Sequence, residues 1–352
     1  MIATRKLAMI VLALLSARAS AQAPSGRLQV SIETADGSSA AGAIIALVDS
    51  RDKVVAEAIA RSDGSRVLLA PFGSYRVRVL RIGFRPYMSA AVTLPNDTRI
   101  TIRLDAPRIV LASMIVKAAT QCVRVDKEPE STGLVWTEVT KALRTSQLTA
   151  ADISTVSVSR VYRREISASG AVISADTTEL PPGTARPFSA HDPAVLARNG
   201  YVRGDEYHGW QFFGPDEKVF LSGEFASTHC FRLIRKKDRA ADIGIAFEPV
   251  PGRKIPDIAG TAWVDQSSSE LKEIVFRYVN AGMPSEFNAS GFTHFHRMPS
   301  GSWIIDDWQL RMPQIGERRG SAADAGIFDR RALYLEGYVE AGGGVVFTDR
   351  KN

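Results

Sequence analysis

The chain is predicted to be mainly β: an N-terminal seven-stranded β-sandwich, then an antiparallel β-rich domain (a curved sheet or half-barrel) with one or two helices. Three observations predict this. Apolar and polar residues alternate with period two through residues 27–105 and through most of the second half, as strands with one buried and one wet face require. Turn-forming pairs cut both stretches into short runs, which is how consecutive antiparallel strands are punctuated. Helix signals occur at two places: apolar residues at helical spacing in Leu134–Leu148, and the start and stop residues that bound Pro193–Asn199.

Residues 1–21 read as a cleavable signal peptide. Arg5 and Lys6 precede the unbroken apolar run Leu7–Leu15, and Ala19-Ser20-Ala21 supplies small residues for cleavage. That run is shorter than the roughly 20 residues of a membrane-spanning helix, and no later segment is long and apolar enough. The expected location is therefore the periplasm, the outer-membrane surface or the exterior. The formal charge is +6, and Arg5, Lys6 and Arg18 leave with the signal peptide, so +3 remains. So small an excess gives no reason to expect nucleic acid as a partner. The basic cluster Arg232, Arg235, Lys236, Lys237 and Arg239 reads as a solvated turn, with a phosphate or lipid headgroup as the alternative. The two cysteines, Cys122 and Cys230, are expected to pair in an oxidising compartment. At about 150 residues per domain the exported chain holds two. The expected boundaries are a sandwich at 22–106, a linker at 107–130 carrying Cys122, and a β-rich domain at 131–352.

In the first domain, Leu28, Val30 and Ile32 alternate with Gln29, Ser31 and Glu33. Tyr75, Val77 and Val79 alternate with Arg76, Arg78 and Leu80, and Ile100, Ile102 and Leu104 with Thr101 and Arg103. Ala43–Val48, Val54–Ala60 and Val67–Leu69 are further strands, and Asp36-Gly37, Asp63-Gly64, Gly73-Ser74 and Pro95-Asn96-Asp97 mark turns. The Gly42–Val48 strand, the Asp63-Gly64 turn, and Pro71-Phe72-Gly73-Ser74-Tyr75 leading into Arg81-Ile82-Gly83-Phe84 resemble the carboxypeptidase regulatory-like domain. That resemblance covers about 80 residues. It implies a transthyretin-like sandwich grouped with carbohydrate-binding-like folds. It implies no peptidase: none of His191, His208, His229 or His294 opens an H-x-x-E motif, and H-E-x-x-H is absent.

In the second domain, Val135, Val139, Ala142 and Leu143 mark one buried helical face, with Ser131 or Thr132 as cap. Asp192, Pro193 and Gly200 bound a short helix. Strands are expected at Thr155–Arg164, Gly209–Phe213, Lys218–Leu221, Cys230–Ile234, Ile243–Phe247, Gly260–Val264 and Ile274–Tyr278. Phe292–Met298 and Trp303–Leu310 are expected to be joined by a hairpin loop at Pro299-Ser300-Gly301. Leu333–Val339 and Val345–Phe347 follow, with Gly342-Gly343-Gly344 read as a turn. One helix before a long meander, with Asp257–Tyr278 as a strand–Asp–turn–strand hairpin, is similar to the half-barrel of periplasmic lipoprotein carriers. The resemblance implies a concave face for an acyl chain or apolar peptide. Trp210, Trp263, Trp303 and Trp308 are the candidate ligand-facing aromatics, the alternative being that they form the core.

No nucleophile elbow or phosphate-binding glycine loop occurs, and no cofactor is implied. His294 and His296 lie two apart on one strand, opposite Asp306 and Asp307, and are the candidate metal ligands. Adjacent carboxylates on a strand are expected on opposite faces. The function expected from these residues is a non-catalytic binding or scaffold protein of the bacterial cell envelope, recognising glycan, lipid or another envelope protein. The alternatives are a hydrolase with a site near His294 and His296, and a small outer-membrane β-barrel.

Overall fold

The computed structural model describes residues 24–104, 111, 130–151, 158–181, 188, 191–205, 208–318 and 332–346. The signal-peptide segment and Cys122 lie outside them. The chain is mainly β, built from several antiparallel sheets.

Seven strands form the N-terminal sandwich: β1 (Ser25–Thr34), β2 (Ile44–Val48), β3 (Val54–Ile59), β4 (Ser65–Pro71), β5 (Gly73–Leu80), β6 (Tyr87–Leu94) and β7 (Arg99–Leu104). One sheet has the order β4-β1-β7 and the other β3-β2-β5-β6. All pairings are antiparallel except β1 with β7. The period-two pattern selects the inner face. Leu28, Val30 and Ile32 of β1 and Val77 and Val79 of β5 are buried in one core with Ile45, Leu47 and Ile102. Burial of such aliphatic side chains contributes about 1.5–3 kcal/mol each, the dominant favourable term in folding.

The second part begins with α1 (Glu130–Ala151), followed by β8 (Val158–Ser167), β9 (Val172–Leu180), α2 (Pro193–Asn199), β10 (Val202–Asp205) and β11 (Gly209–Phe212). Next come α3 (Glu217–Phe220), α4 (Gly223–Thr228), β12 (His229–Ile234), β13 (Asp242–Pro249), β14 (Asp257–Asp265), β15 (Leu271–Val279) and α5 (Met283–Glu286). The last strands are β16 (Ser290–Arg297), β17 (Trp303–Arg318) and β18 (Ala332–Val346). Nine strands make one sheet in the order β12-β13-β14-β15-β16-β17-β18-β8-β9. The sheet is open, with β12 and β9 at its edges, so the small-barrel alternative does not describe it. Among the described residues no helix is long and apolar enough to cross a membrane.

The sheet's inner face carries Ile243, Ile245, Ala262, Val264, Ile274 and Phe276, and α1 lies on it through Val135, Val139, Ala142 and Leu143. The opposite side of α1 meets the sandwich. There Lys141 Nζ contacts Glu138 Oε1 at 2.6 Å, with side chains 2% and 0% exposed. Lys141 Nζ also donates to the carbonyls of Phe84 (2.6 Å) and Arg81 (3.2 Å), and the Gly83 N–H donates to Glu138 Oε2 at 2.7 Å. Burial pushes the Glu138 carboxyl above its ordinary range, with Lys141 and the Gly83 N–H pulling it back. A second junction is backbone to backbone. Gly42 (φ +77°) and Gly301 (φ +83°) approach so closely that a Cβ on Gly42 would overlap the Gly301 carbonyl. Both the positive φ and the absent side chain require glycine there.

Three local expectations are corrected, and one strand is added. First, Lys218–Leu221 is not a strand. Asp216 accepts from Val219 N and Ser222 from Phe225 N, so two successive N-caps start the one-turn helices α3 and α4. With α5, the described residues hold five helices rather than one or two. Second, α1 begins at Glu130, ahead of both Ser131 and Thr132, so neither is its cap. Third, Gly342-Gly343-Gly344 is no turn but lies within the last third of β18. A Cβ at Gly342 would run into the Tyr162 ring, and one at Gly343 would lie 2.9 Å from Trp308 Nε1, so the glycines admit close-lying rings. The added strand is β9, which is exposed along nearly its whole length and carries no buried face for a period-two reading to detect.

Candidate functional site

A cleft with a volume of about 720 Å³ lies where the sandwich meets the helices. That size is within the range of small-ligand pockets, which favour junctions between domains. Its sandwich wall is the outer face of the β3-β2-β5-β6 sheet. Val77 and Val79 point into the sandwich core, so Arg78 and Leu80 point outward by alternation. Arg78 pairs in register with Ala46, whose other neighbour is Glu57. The facing wall is one stripe of α1, with Thr137, Thr140, Lys141, Arg144 and Gln147 at helical spacing. The N-terminal end of α2 and residues Lys218, Leu221 and Glu224 of the α3–α4 segment close the cleft.

Most charges around the cleft are engaged. Arg144 donates from Nε to Glu57 Oε2 at 2.9 Å, and its remaining nitrogens reach Glu57 and Gln147. Asp192 caps α2, accepting from Ala194 N (2.9 Å) and Val195 N (3.4 Å). Lys141 is held by Glu138. Arg78 is different: its Nε is buried and has no hydrogen-bond partner. The alternation in β5 places Arg78 on an outer face, but outer faces normally meet water. Nothing in the sequence signals that α1 faces this one across a cleft.

The four candidate tryptophans separate. Trp303 is 3% exposed and belongs to the core beneath α1. Trp308 and Trp210 are partly buried against that core, and Trp308 meets Phe188 edge-on with centroids 5.2 Å apart. Trp263 is 1% exposed but lies on the sheet's other face, opposite Gly244. The basic turn covers it, with Arg239 and Lys236 at 4.8 and 5.5 Å from the ring centroid. Arg232 is paired with Glu248 at 2.5 Å, Arg239 with Glu273, and Arg235 hydrogen-bonds Gln266 at 2.7 Å. The turn is solvated, with Arg235, Lys236 and Lys237 exposed, and it also lies over an aromatic ring.

His294 and the two aspartates are brought together. A register shift after His294 leaves Asp306 as an extra residue on β17, with Asp307 directly opposite His294. Such bulges re-aim side chains, so the expectation of opposite faces fails here. Asp306 Oδ1 is 2.7 Å from His294 Nδ1. Burial raises Asp307 above the ordinary carboxylate range. The Trp308 N–H opposes that shift, the Asp306 charge reinforces it, and His294 and Arg164 oppose it. His296 is exposed on the same strand. Among the described residues no group of three or more His, Cys, Asp or Glu side chains is placed to hold a metal ion.

Cys230 is 1% exposed on β12, in register with Glu248, and no free cysteine occurs among the described residues. No family model matches the chain, and no curated protein matches it. Among solved structures it is similar to one described as the crystal structure of BcpA, the major pilin subunit of Bacillus cereus. The identity is 10% and the TM-score 0.21, covering 93% of this chain and 97% of that one. A likeness at that TM-score carries no argument about this protein.

Proposed function

We propose that this is an exported, non-catalytic binding or scaffold protein of the bacterial cell envelope, with a regulatory-like sandwich at 22–106, a linker at 107–130 and a β-rich domain at 131–352. Its ligand enters the cleft between the two parts. The observation that supports this is the filled inner face of the nine-stranded sheet. Helix α1 and the packed rings of Phe220, Phe225, Phe231, Phe247 and Phe276 occupy it. An acyl chain carried on that face would have to displace the core. The cleft beside Arg78 is outside that core and open. Titration of the purified chain against a panel of neutral and charged envelope glycans, lipids and peptides tests the reading. Saturable binding of one class is expected, and no binding across the panel removes it.

The export and bridge proposals share one measurement. The intact mass of protein recovered from outside the cytoplasm is expected to lack residues 1–21 and the two thiol hydrogens of Cys122 and Cys230. Cys230→Ser is then expected to lower stability by about 2–5 kcal/mol in urea titration, the usual cost of losing a native bridge. Full-length mass, or two alkylatable thiols in the unreduced protein, would contradict them.

A further inference from the structure

We infer that the cleft holds a single carboxylate, the C-terminal end of a short peptide with small aliphatic side chains, and that Arg78 is its anchor. This deepens the binding reading above and rests on it. Buried guanidinium nitrogens usually have acceptors; Arg164 and Arg203 also bury an Nε that lacks one, and of these arginines Arg78 is the one that lines the cleft. The two arginines nearest in role do have partners: Arg76 pairs with Asp52 and Arg144 with Glu57. Arg78 lies in the wall of the cleft of about 720 Å³. A planar guanidinium matches a carboxylate through two parallel N–H donors. Lys218, exposed at the α3 rim, supplies a second cation.

The rest of the lining limits the ligand. The lining sets Arg78, Lys141, Arg144 and Lys218 against the carboxylates of Glu57, Asp192 and Glu224, an excess of one positive charge that a single carboxylate matches and a dianionic phosphate exceeds. None of the lining residues is aromatic, and Val54, Leu80 and Leu221 give aliphatic walls. A sugar ring finds no face to stack on there, while small aliphatic side chains find apolar contact.

The test is calorimetric titration of the full chain with N-acetyl-Ala-Ala, with the same dipeptide as its C-terminal amide, and with glucuronate. Saturable binding of the free acid is expected. The amide, and the acid with R78A, are each expected to bind at least about tenfold more weakly, since a hydrogen bond to a charged group carries that much affinity. R76A, whose partner is Asp52 at the surface, is expected to leave binding unchanged. R78A is also expected to melt no lower than the parent, because it removes a donor that has no partner in the free protein. Tighter binding of glucuronate with the same dependence on Arg78 would overturn the peptide assignment. Equal binding of acid and amide, no binding of the acid at about 10 mM, or a clearly lower melting temperature for R78A would overturn the site itself. The broader binding reading would still be decided separately, by the neutral members of the envelope panel.

Discussion

Glu138→Ala is expected to destabilise the protein by about 3–5 kcal/mol, the usual cost of leaving one member of a buried ion pair without the other. Lys141 would keep its two carbonyl partners, Phe84 and Arg81, but its charge would lose the carboxylate that meets it. The Gly83 N–H would lose its acceptor as well. Lys141→Ala is expected to cost about as much by the same reasoning. Replacing both residues with methionine is expected to restore most of the loss, since apolar groups of similar volume often substitute for a buried pair without penalty. Chemical denaturation of the two single variants and the double variant checks this. The exposed pair Arg76–Asp52 is the control, and Arg76→Ala is expected to change stability by less than about 1 kcal/mol.

Asp257→Ala is expected to have an effect of similar size, about 3–5 kcal/mol, for a related reason. Asp257 is 0% exposed and accepts from Arg253 Nε and from the Ile258 N–H at 2.9 Å. Its Oδ1 is also 3.2 Å from Nε2 of His229, which is likewise 0% exposed. Arg253 in turn donates to the Ala197 carbonyl at the end of α2, at 2.7 Å. The His229 ring stacks on Phe225 of α4 with centroids 4.0 Å apart. One carboxylate thus ties α2, α4, β12 and β14 together. Asp257→Asn keeps the shape and one acceptor oxygen, so it is expected to cost less than alanine. Thermal melts of the two variants rank them, and an alanine variant as stable as the parent would mean the network does not hold these elements.

Much of this fold was legible because alternation in a strand is a local property. Leu28, Val30 and Ile32, or Ile243, Ile245 and Phe247, declare their buried face within five residues. Asp192, Pro193 and Gly200 declared the ends of α2 in the same local way. The illegible parts depend on partners distant in sequence. Glu138 and Lys141 look like the wet side of an amphipathic helix, and only the arrival of the Arg81–Phe84 turn makes them a buried pair. Arg78 looks like the wet side of a strand, and only the fold places α1 across a cleft from it. The Asp306 bulge displaces one residue and reverses the expected facing of two carboxylates, and no pattern in the run Trp303–Leu310 announces it. Trp263 read as a ligand-facing ring or as core, yet it lies under two cations on the sheet's outer face. Site residues were therefore harder to find than strands.

The central claim is that the sandwich and the nine-stranded sheet behave as one body, joined through α1 and through Gly42 against Gly301, with the binding cleft formed between them. Scanning calorimetry of the full chain tests it most directly. The account predicts a single transition whose calorimetric and van't Hoff enthalpies agree, and separation into two transitions in Glu138→Ala. Two independent transitions in the unmodified protein, with the sandwich melting separately from the sheet, would contradict it.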